Sequence, residues 1–236
     1  MGMVEYRYLQ LKDAEAAADL HIEGQPGTIL TLLGRRFLIE LYRAVCISQW
    51  SEGIGAFDGD KLVGLVVIAV SSTKFFSEFK LRYLWRVTAP IALSILRHPQ
   101  IIAHVIKGWT YADQAHSPER ESDALFLGVK REYMRHGLGP DLLRYAFGWA
   151  GSIGLESTIF MIEKRNRAMH WMIGQMKGLQ VIREFEAFGR KMILYRAPIA
   201  SNLTDAKLPL GQPYTPAYSY LSKEERGEKI GSGNLI

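Results

Sequence analysis

A chain of 236 residues, 48% hydrophobic and 22% charged, is long enough to bury a sizeable core and too evenly mixed to be fibrous or disordered as a whole. Its single cysteine, Cys46, excludes an internal disulfide and fits a reducing compartment. The formal charge of +5 suits a polyanionic small molecule or an anionic membrane surface, whereas the lack of a basic block or an aromatic RNA-binding signature argues against nucleic acid.

The opening MGMVEYRYLQ alternates apolar and polar residues and shows no charged head followed by an apolar run, so a cytoplasmic protein without a signal peptide is expected. Val4, Tyr6 and Tyr8 read as a first strand, and Asp13 caps a helix over 14–23 that Gln25-Pro26-Gly27 ends. A second helical pattern covers 31–48, with Leu33, Phe37, Leu41 and Val45 spaced by four; Cys46 falls in it as a core residue. Two apolar runs, 53–57 and 61–70, then flank Asp58-Gly59-Asp60, the strongest hairpin signal in the chain.

Roughly fifty residues separate Val70 from the next strand, far more than an ordinary connection, so an insertion with its own structure is expected over about 72–115. Phe75, Phe76, Phe79, Leu81, Tyr83, Leu84, Trp85 and Val87 alternate with Lys74, Lys80, Arg82 and Arg86, and no Asp or Glu occurs between Phe79 and Ala112. Pro90, Arg97, His98 and Pro99 interrupt any transmembrane span. Three readings stay open: helices packed on the sheet or on a second copy as a homodimer, a basic-aromatic helix pair over 75–107 lying peripherally on the inner membrane surface, or a lid on an acceptor site.

The stretch 122–143 organises the rest. An apolar strand over 123–129 runs into the turn Met134-Arg135-His136-Gly137-Leu138-Gly139, with Pro140 and Asp141 in the first turn of a helix whose stripe is Leu142, Ala146, Trp149 and Ile153. Unpaired N–H groups at such a helix start stabilise an anion. Leu142 stands where a dinucleotide fingerprint needs a third small residue, and Gly-Lys-Ser/Thr is absent, so neither common nucleotide-binding class applies. Downstream, 157–162 reads as a strand, 166–177 as a helix, and 180–186 with 190–196 as a hairpin about Phe188-Gly189. Residues 1–198 thus form one domain, while 199–236, rich in Pro, Gly, Ser and charge, is a polar tail. The six histidines show no ligand spacing, and no metal is expected.

Val129, Gly137 and Gly139 fall on the pattern V-x-x-x-x-Q/R-x-x-G-x-G/A, and the chain here resembles motif A of the GCN5-related N-acetyltransferase (GNAT) family. The Gln/Arg position is Met134, with Arg135 beside it. The run from Asn166 to Leu179 is more loosely similar to the family's N-x-x-A…Y…G-F helix, with Met172 or Ile173 where a tyrosine often stands. The resemblance implies an α/β (α+β) fold with a mixed, mostly antiparallel sheet and helices on both faces. It implies acetyl-CoA or another acyl-CoA as co-substrate, its pantetheine arm along Leu127, Gly128 and Val129, its pyrophosphate on the amides of Met134, Arg135, His136, Gly137, Leu138 and Gly139, and Asn166 nearby.

It also implies a small amine acceptor. A carboxylate near the start of the cofactor strand takes the ammonium proton, which singles out Asp123, with Glu121 on the same strand face. One backbone N–H around Leu127–Val129 meets the developing oxyanion. His170 is the first choice as acid for the thiolate, with Tyr133 and Tyr145 as alternatives, and His21, Glu23 and Gln25 are acceptor-side candidates. The insertion, with the preceding GTILTLLGRRFLIELYR, resembles a branch of such proteins associated with bacterial surface polysaccharide, which suggests an amino-sugar acceptor. The competing expectation is a non-catalytic acyl-CoA-binding or membrane-surface protein that kept the cleft and lost the acid.

Overall fold

The structure, a computed structural model, describes residues 4–97, 99, 120–187 and 189–203; the expectations for 100–119 and for the tail from 204 onward lie outside the described residues. Strand β1 (Val4–Tyr8) leads through a short 3-10 turn to α1 (Ala14–Gly24), α2 (Ile29–Leu32) and α3 (Arg35–Ile47). The hairpin β2 (Ser51–Asp58) and β3 (Lys61–Ala69) follows, then α4 (Ser72–Arg97), β4 (Glu121–Val129) and α5 (Leu138–Ser152). Strand β5 (Ser157–Glu163), α6 (Arg167–Ile173), β6 (Gln180–Ala187) and β7 (Arg190–Pro198) complete it. The expected mixed sheet is present: seven strands in the order β1-β2-β3-β4-β5-β7-β6. Every pairing is antiparallel except that between β4 and β5.

Alternation divides the apolar residues of the central strands between two cores. Phe57, Leu62, Leu65, Val67 and Phe126 face α1, α3 and α4, among Leu20, Leu38, Tyr42 and Phe75. Ile54, Val63, Val66, Ile68 and Phe160 face α5, whose Leu142, Ala146 and Trp149 are buried together with Ile153 at its C-cap, as the stripe predicts. Burial on both faces explains why β2 and β3 read as continuous apolar runs.

One of the expected helices is divided. The single helix expected over 31–48 is broken at Gly34, which takes φ +93° as the N-cap of α3, a conformation a residue with a Cβ avoids. In the insertion, α4 runs through Pro90 as one helix of 26 residues. Proline removes one N–H and leaves one carbonyl to be met elsewhere, which a helix face open to water tolerates better than a buried one. α4 is held along its length to α3: Phe79 packs edge-to-face on Phe37 at 5.7 Å, Ser48 Oγ donates to Glu78 at 2.6 Å, and Ser94 Oγ donates to the Leu33 carbonyl at 2.9 Å. No helix among the described residues is long and apolar enough to cross a membrane.

The packing of α5 aims its N-terminus at the end of β4, and Trp149, 2% exposed, is the largest side chain in that contact. Trp149→Ala is expected to lower unfolding free energy by about 3–5 kcal/mol, measured as a fall in the urea midpoint with the denaturant slope retained.

Candidate functional site

The site begins with an interrupted strand pairing. β4 and β5 pair in parallel over four residues, Glu121 with Ser157 through Ala124 with Phe160, and no further. A bulge lies where the register on β3 shifts between Val67, opposite Phe126, and Ile68, opposite Ala124. Beyond it β4 stays on β3 to Val129 while β5 stays on β7 to Glu163, so the two diverge as a V. Lys130 donates its N–H to Val63 O at 2.8 Å. By the two-residue period, Gly128 and Phe126 also turn their peptide groups to β3, leaving those of Leu127 and Val129 toward the open V.

The closed end of the V is pinned by side chains. Ser122 Oγ and Thr158 Oγ1 share a buried hydrogen bond of 2.9 Å. Glu121 meets Arg196 of β7 at two points, 2.6 Å from Nε and 3.3 Å from Nη2, and accepts from Ser157 Oγ at 3.0 Å. Glu121, expected as a catalytic carboxylate, is therefore 8% exposed and engaged with a guanidinium. Asp123 lies two residues on, where the pairing is about to end. Its Oδ2 accepts the Ser72 N–H at 3.0 Å, which fixes the carboxylate against the start of α4.

At the wide end sits the turn. The 3-10 segment Arg131–Tyr133 is tied to the β2–β3 hairpin by Tyr133 Oη donating to Asp58 at 2.8 Å and by Lys61 meeting Glu132 at 2.5 Å. Arg135 takes φ +63° and Gly137 φ +85°, and a Cβ built on Gly137 would meet nothing within 4 Å. No acceptor among the described residues takes the N–H of Arg135, His136, Gly137, Leu138 or Gly139. Left-handed residues separated by one position turn successive amides inward, the geometry of an anion-binding nest, and the positive end of α5 adds to it. Leu138 itself is buried, so only its backbone takes part, and Met134, Arg135 and His136 are exposed around the turn. Gly139 serves packing as well: a Cβ there would come within 3.1 Å of Met172 Sδ on α6.

Gly128 has a further role. Its Cβ would lie 2.7 Å from the Phe126 ring and 2.9 Å from Leu20, so its absence lets α1 approach the strand, with Gly24 against Gly128. That carries the loop after α1 to the rim of the V, where Arg190 Nη2 reaches the Gly27 carbonyl at 2.7 Å while its Nη1 meets Glu163 at 3.1 Å. This strap from β7 to the α1–α2 loop escapes sequence reading because its partners are 163 residues apart.

Several candidates are committed elsewhere. His21 is 2% exposed, stacked on Phe126 at 4.4 Å and hydrogen-bonded through Nδ1 to Tyr42 Oη at 2.8 Å; it lies beneath β4. Burial pushes its imidazole down to about 4. Glu23 Oε1 accepts the Arg131 N–H at 3.4 Å, and Gln25 offers its carbonyl to Thr28 and Thr31. Tyr145 packs on Tyr6 at 4.8 Å, at the β1 edge of the sheet, and Tyr133, at the wide end of the V, is held by Asp58, so neither alternative acid is placed at the closed end. Asn166 caps α6 by accepting the Met169 N–H at 3.1 Å. His170 lies between the Glu163 carbonyl, 3.1 Å from Nε2, and Tyr195 Oη, 3.0 Å from Nδ1. Tyr195 was not singled out from the sequence, where nothing marks it beyond alternation in β7. Among the described residues no group of three His, Cys, Asp or Glu is placed to hold a metal.

Comparison with known proteins places the fold. No protein-family model matches the chain, and no curated protein matches it in sequence. Solved structures do. The ribosomal-protein-S18-alanine N-acetyltransferase of Escherichia coli superposes with a TM-score of 0.54 at 10% identity, covering 87% of this chain and 97% of that one. The PaiA N-acetyltransferase of Thermoplasma acidophilum, solved with coenzyme A, gives 0.54 at 15% identity over 83% and 99%. Arabidopsis thaliana NAA60, solved with acetyl-CoA, gives 0.52 at 13% identity over 84% and 99%. A putative acetyltransferase of the GNAT family from Desulfovibrio desulfuricans gives 0.53 at 13% identity over 84% and 99%. The chain has the GNAT fold.

Two measurements follow from this geometry. Glu121→Ala, which strands Arg196 at the closed end of the V, is expected to cost about 2–3 kcal/mol in urea unfolding, while Glu121→Gln, which keeps the Ser157 bond, costs less. Because His21 stays neutral in the folded chain while an unfolded histidine takes up a proton near pH 6.5, its contribution is full above that pH and is lost as pH falls toward 4. The stability difference between wild type and His21→Gln is therefore expected to change by on the order of 3 kcal/mol across that window, and to stay level above it.

Proposed function

We propose that the protein transfers an acyl group, acetyl in the first instance, from acyl-CoA to the primary amine of a small acceptor. The observation that supports this most is the conjunction of an open V between β4 and β5 with the amides of Arg135 to Gly139 at its wide end, which no acceptor among the described residues takes. A diphosphate fits those amides, and Gly137 has open space above it. The pantetheine arm, an extended chain with two amides, fits the unpaired peptide edge at Leu127 and Val129 as an additional strand would. The thioester then points toward the closed end, near Asp123.

The chemistry follows from that placement. An amine arrives as an ammonium with a pKa near 10 and must lose a proton before attack. Asp123, held by the Ser72 N–H and facing the side of the sheet that carries α1 and α4, accepts that proton directly or through water. As the amine nitrogen bonds to the thioester carbon, the carbonyl oxygen gains charge that the Leu127 N–H is turned to meet. The C–S bond breaks and the thiolate leaves, while the remaining proton on the now cationic nitrogen passes to the departing sulfur directly or through water, giving the neutral amide and free thiol; with a pKa near that of a cysteine thiol, about 8.5, the thiolate needs no strong acid. His170, linked to Tyr195, is the proton donor we assign if one is used. The Glu121–Arg196 pair positions β4, β5 and β7 and holds the closed end of the V in place.

The acceptor we infer is an amino sugar, on the resemblance of the region 27–43 and the following insertion to proteins associated with bacterial surface polysaccharide. A second reading, an acyl-CoA-binding protein without turnover, draws on Met172 or Ile173, both without a proton to give, standing where a tyrosine acid stands in the resembling motif. Thiol release from acetyl-CoA over a panel of amino sugars and simple amines separates the two: the transferase gives amine-dependent release, the binding protein a thermal shift without release. In Asp123→Asn the remaining carbonyl oxygen can still accept the Ser72 N–H, so an unchanged melting temperature and a fall in kcat of roughly 10²-fold or more are expected. Wild-type turnover in that variant rules Asp123 out as the base.

A further inference from the structure

α4 has two apolar faces, and the fold uses one. Ser72, Phe75, Phe79, Tyr83, Val87 and Ser94 form the inward stripe, buried against α3 and the sheet. On the opposite side Leu81 is 86% exposed, Trp85 71% and Leu96 80%, at spacings of four and eleven that put them on one line, with Leu84 beside it at 43%. Within the described fold this line stays exposed, its one recorded ring contact being Arg86 over Trp85 at 4.8 Å.

Its surroundings are basic. The helix carries Lys74, Lys80, Arg82, Arg86 and Arg97 against one acidic residue, Glu78, whose carboxylate accepts from Ser48 Oγ with one oxygen and meets Arg82 at 3.3 Å with the other, so the helix keeps a net positive charge. Glu40 of α3 flanks the helix and meets Arg86 at 3.4 Å, an exposed contact that screens little of this charge. In the sequence no acidic residue occurs between Glu78 and Asp113. A second copy applied face to face would bring like charges together around the apolar line, so self-association is disfavoured. An anionic bilayer complements both features: phosphate headgroups meet the lysines and arginines while leucine and tryptophan enter the headgroup boundary. The attachment of α4 to α3 from Phe79 to Ser94 holds the helix flat on the body, which suits lying on a surface rather than crossing it.

We propose that the outer face of α4 docks the protein on an anionic lipid surface, with Leu81, Trp85 and Leu96 as the inserted line and the flanking Lys and Arg as headgroup contacts. The proposal is independent of acyl transfer. The test is flotation of the full chain with vesicles of phosphatidylcholine alone and of phosphatidylcholine with phosphatidylglycerol, at low and high salt, alongside light scattering and thermal melting. The wild type is expected to float with the anionic vesicles at low salt, to be released at high salt and to ignore the neutral ones. The variant Leu81→Ser/Trp85→Ser is expected to lose binding by roughly tenfold or more with its melting temperature retained, since both side chains are exposed. Failure to float, equal binding to neutral vesicles, unchanged binding of the variant, or a wild-type dimer that the variant dissolves would each overturn the proposal.

Discussion

Everything about this site depends on one strand refusing its neighbour. Four residues of β4 pair with β5, then the bulge opposite Val67 and Ile68 turns β4 aside and the two edges separate. A peptide edge inside a protein must be satisfied by something, and an edge left open between two otherwise paired strands is a place for an extended, amide-bearing chain. The Glu121–Arg196 pair and the Ser122–Thr158 bond keep the closed end from opening further, and α5 fixes the other end by its own packing. The V is a consequence of core residues on both faces, of the bulge and of two side-chain clasps.

The turn adds the second constraint. Arg135 at φ +63° is a conformation that costs free energy in a residue with a Cβ, and it is held by the neighbouring anchors Tyr133–Asp58 and Lys61–Glu132. Those anchors reach back to the hairpin whose Asp-Gly turn was the clearest local signal in the sequence. Strand, hairpin and helix therefore converge on one short segment of backbone with its amides unspent.

How much of this was legible in the sequence depends on how local the cause was. The hairpin, the α5 stripe and the glycines of the turn are short-range patterns, and the structure has them where they were expected. The break at Gly34 was missed because the apolar spacing of four continues across it, and only its positive φ ends α2. The helix expected over 166–177 is formed only from Arg167 to Ile173. Its end comes before Lys177, and Gly178 at φ +71° closes the turn that follows. Asp123 was readable as a carboxylate at the start of the strand, but its bond to Ser72 spans an insertion that no spacing rule covers. Glu121 shows the same limit from the other side, since a pairing partner 75 residues away makes a candidate base into a clasp.

The central claim, that the amides of Arg135 to Gly139 hold a diphosphate beside an open strand edge, is tested most directly by backbone ¹H–¹⁵N shifts on titration with coenzyme A and with pantetheine. Coenzyme A is predicted to move the amides of Leu127 and Val129 together with those of the turn, and pantetheine only those of the strand. Shifts confined to other surfaces, or none at the turn with coenzyme A in excess, would contradict it.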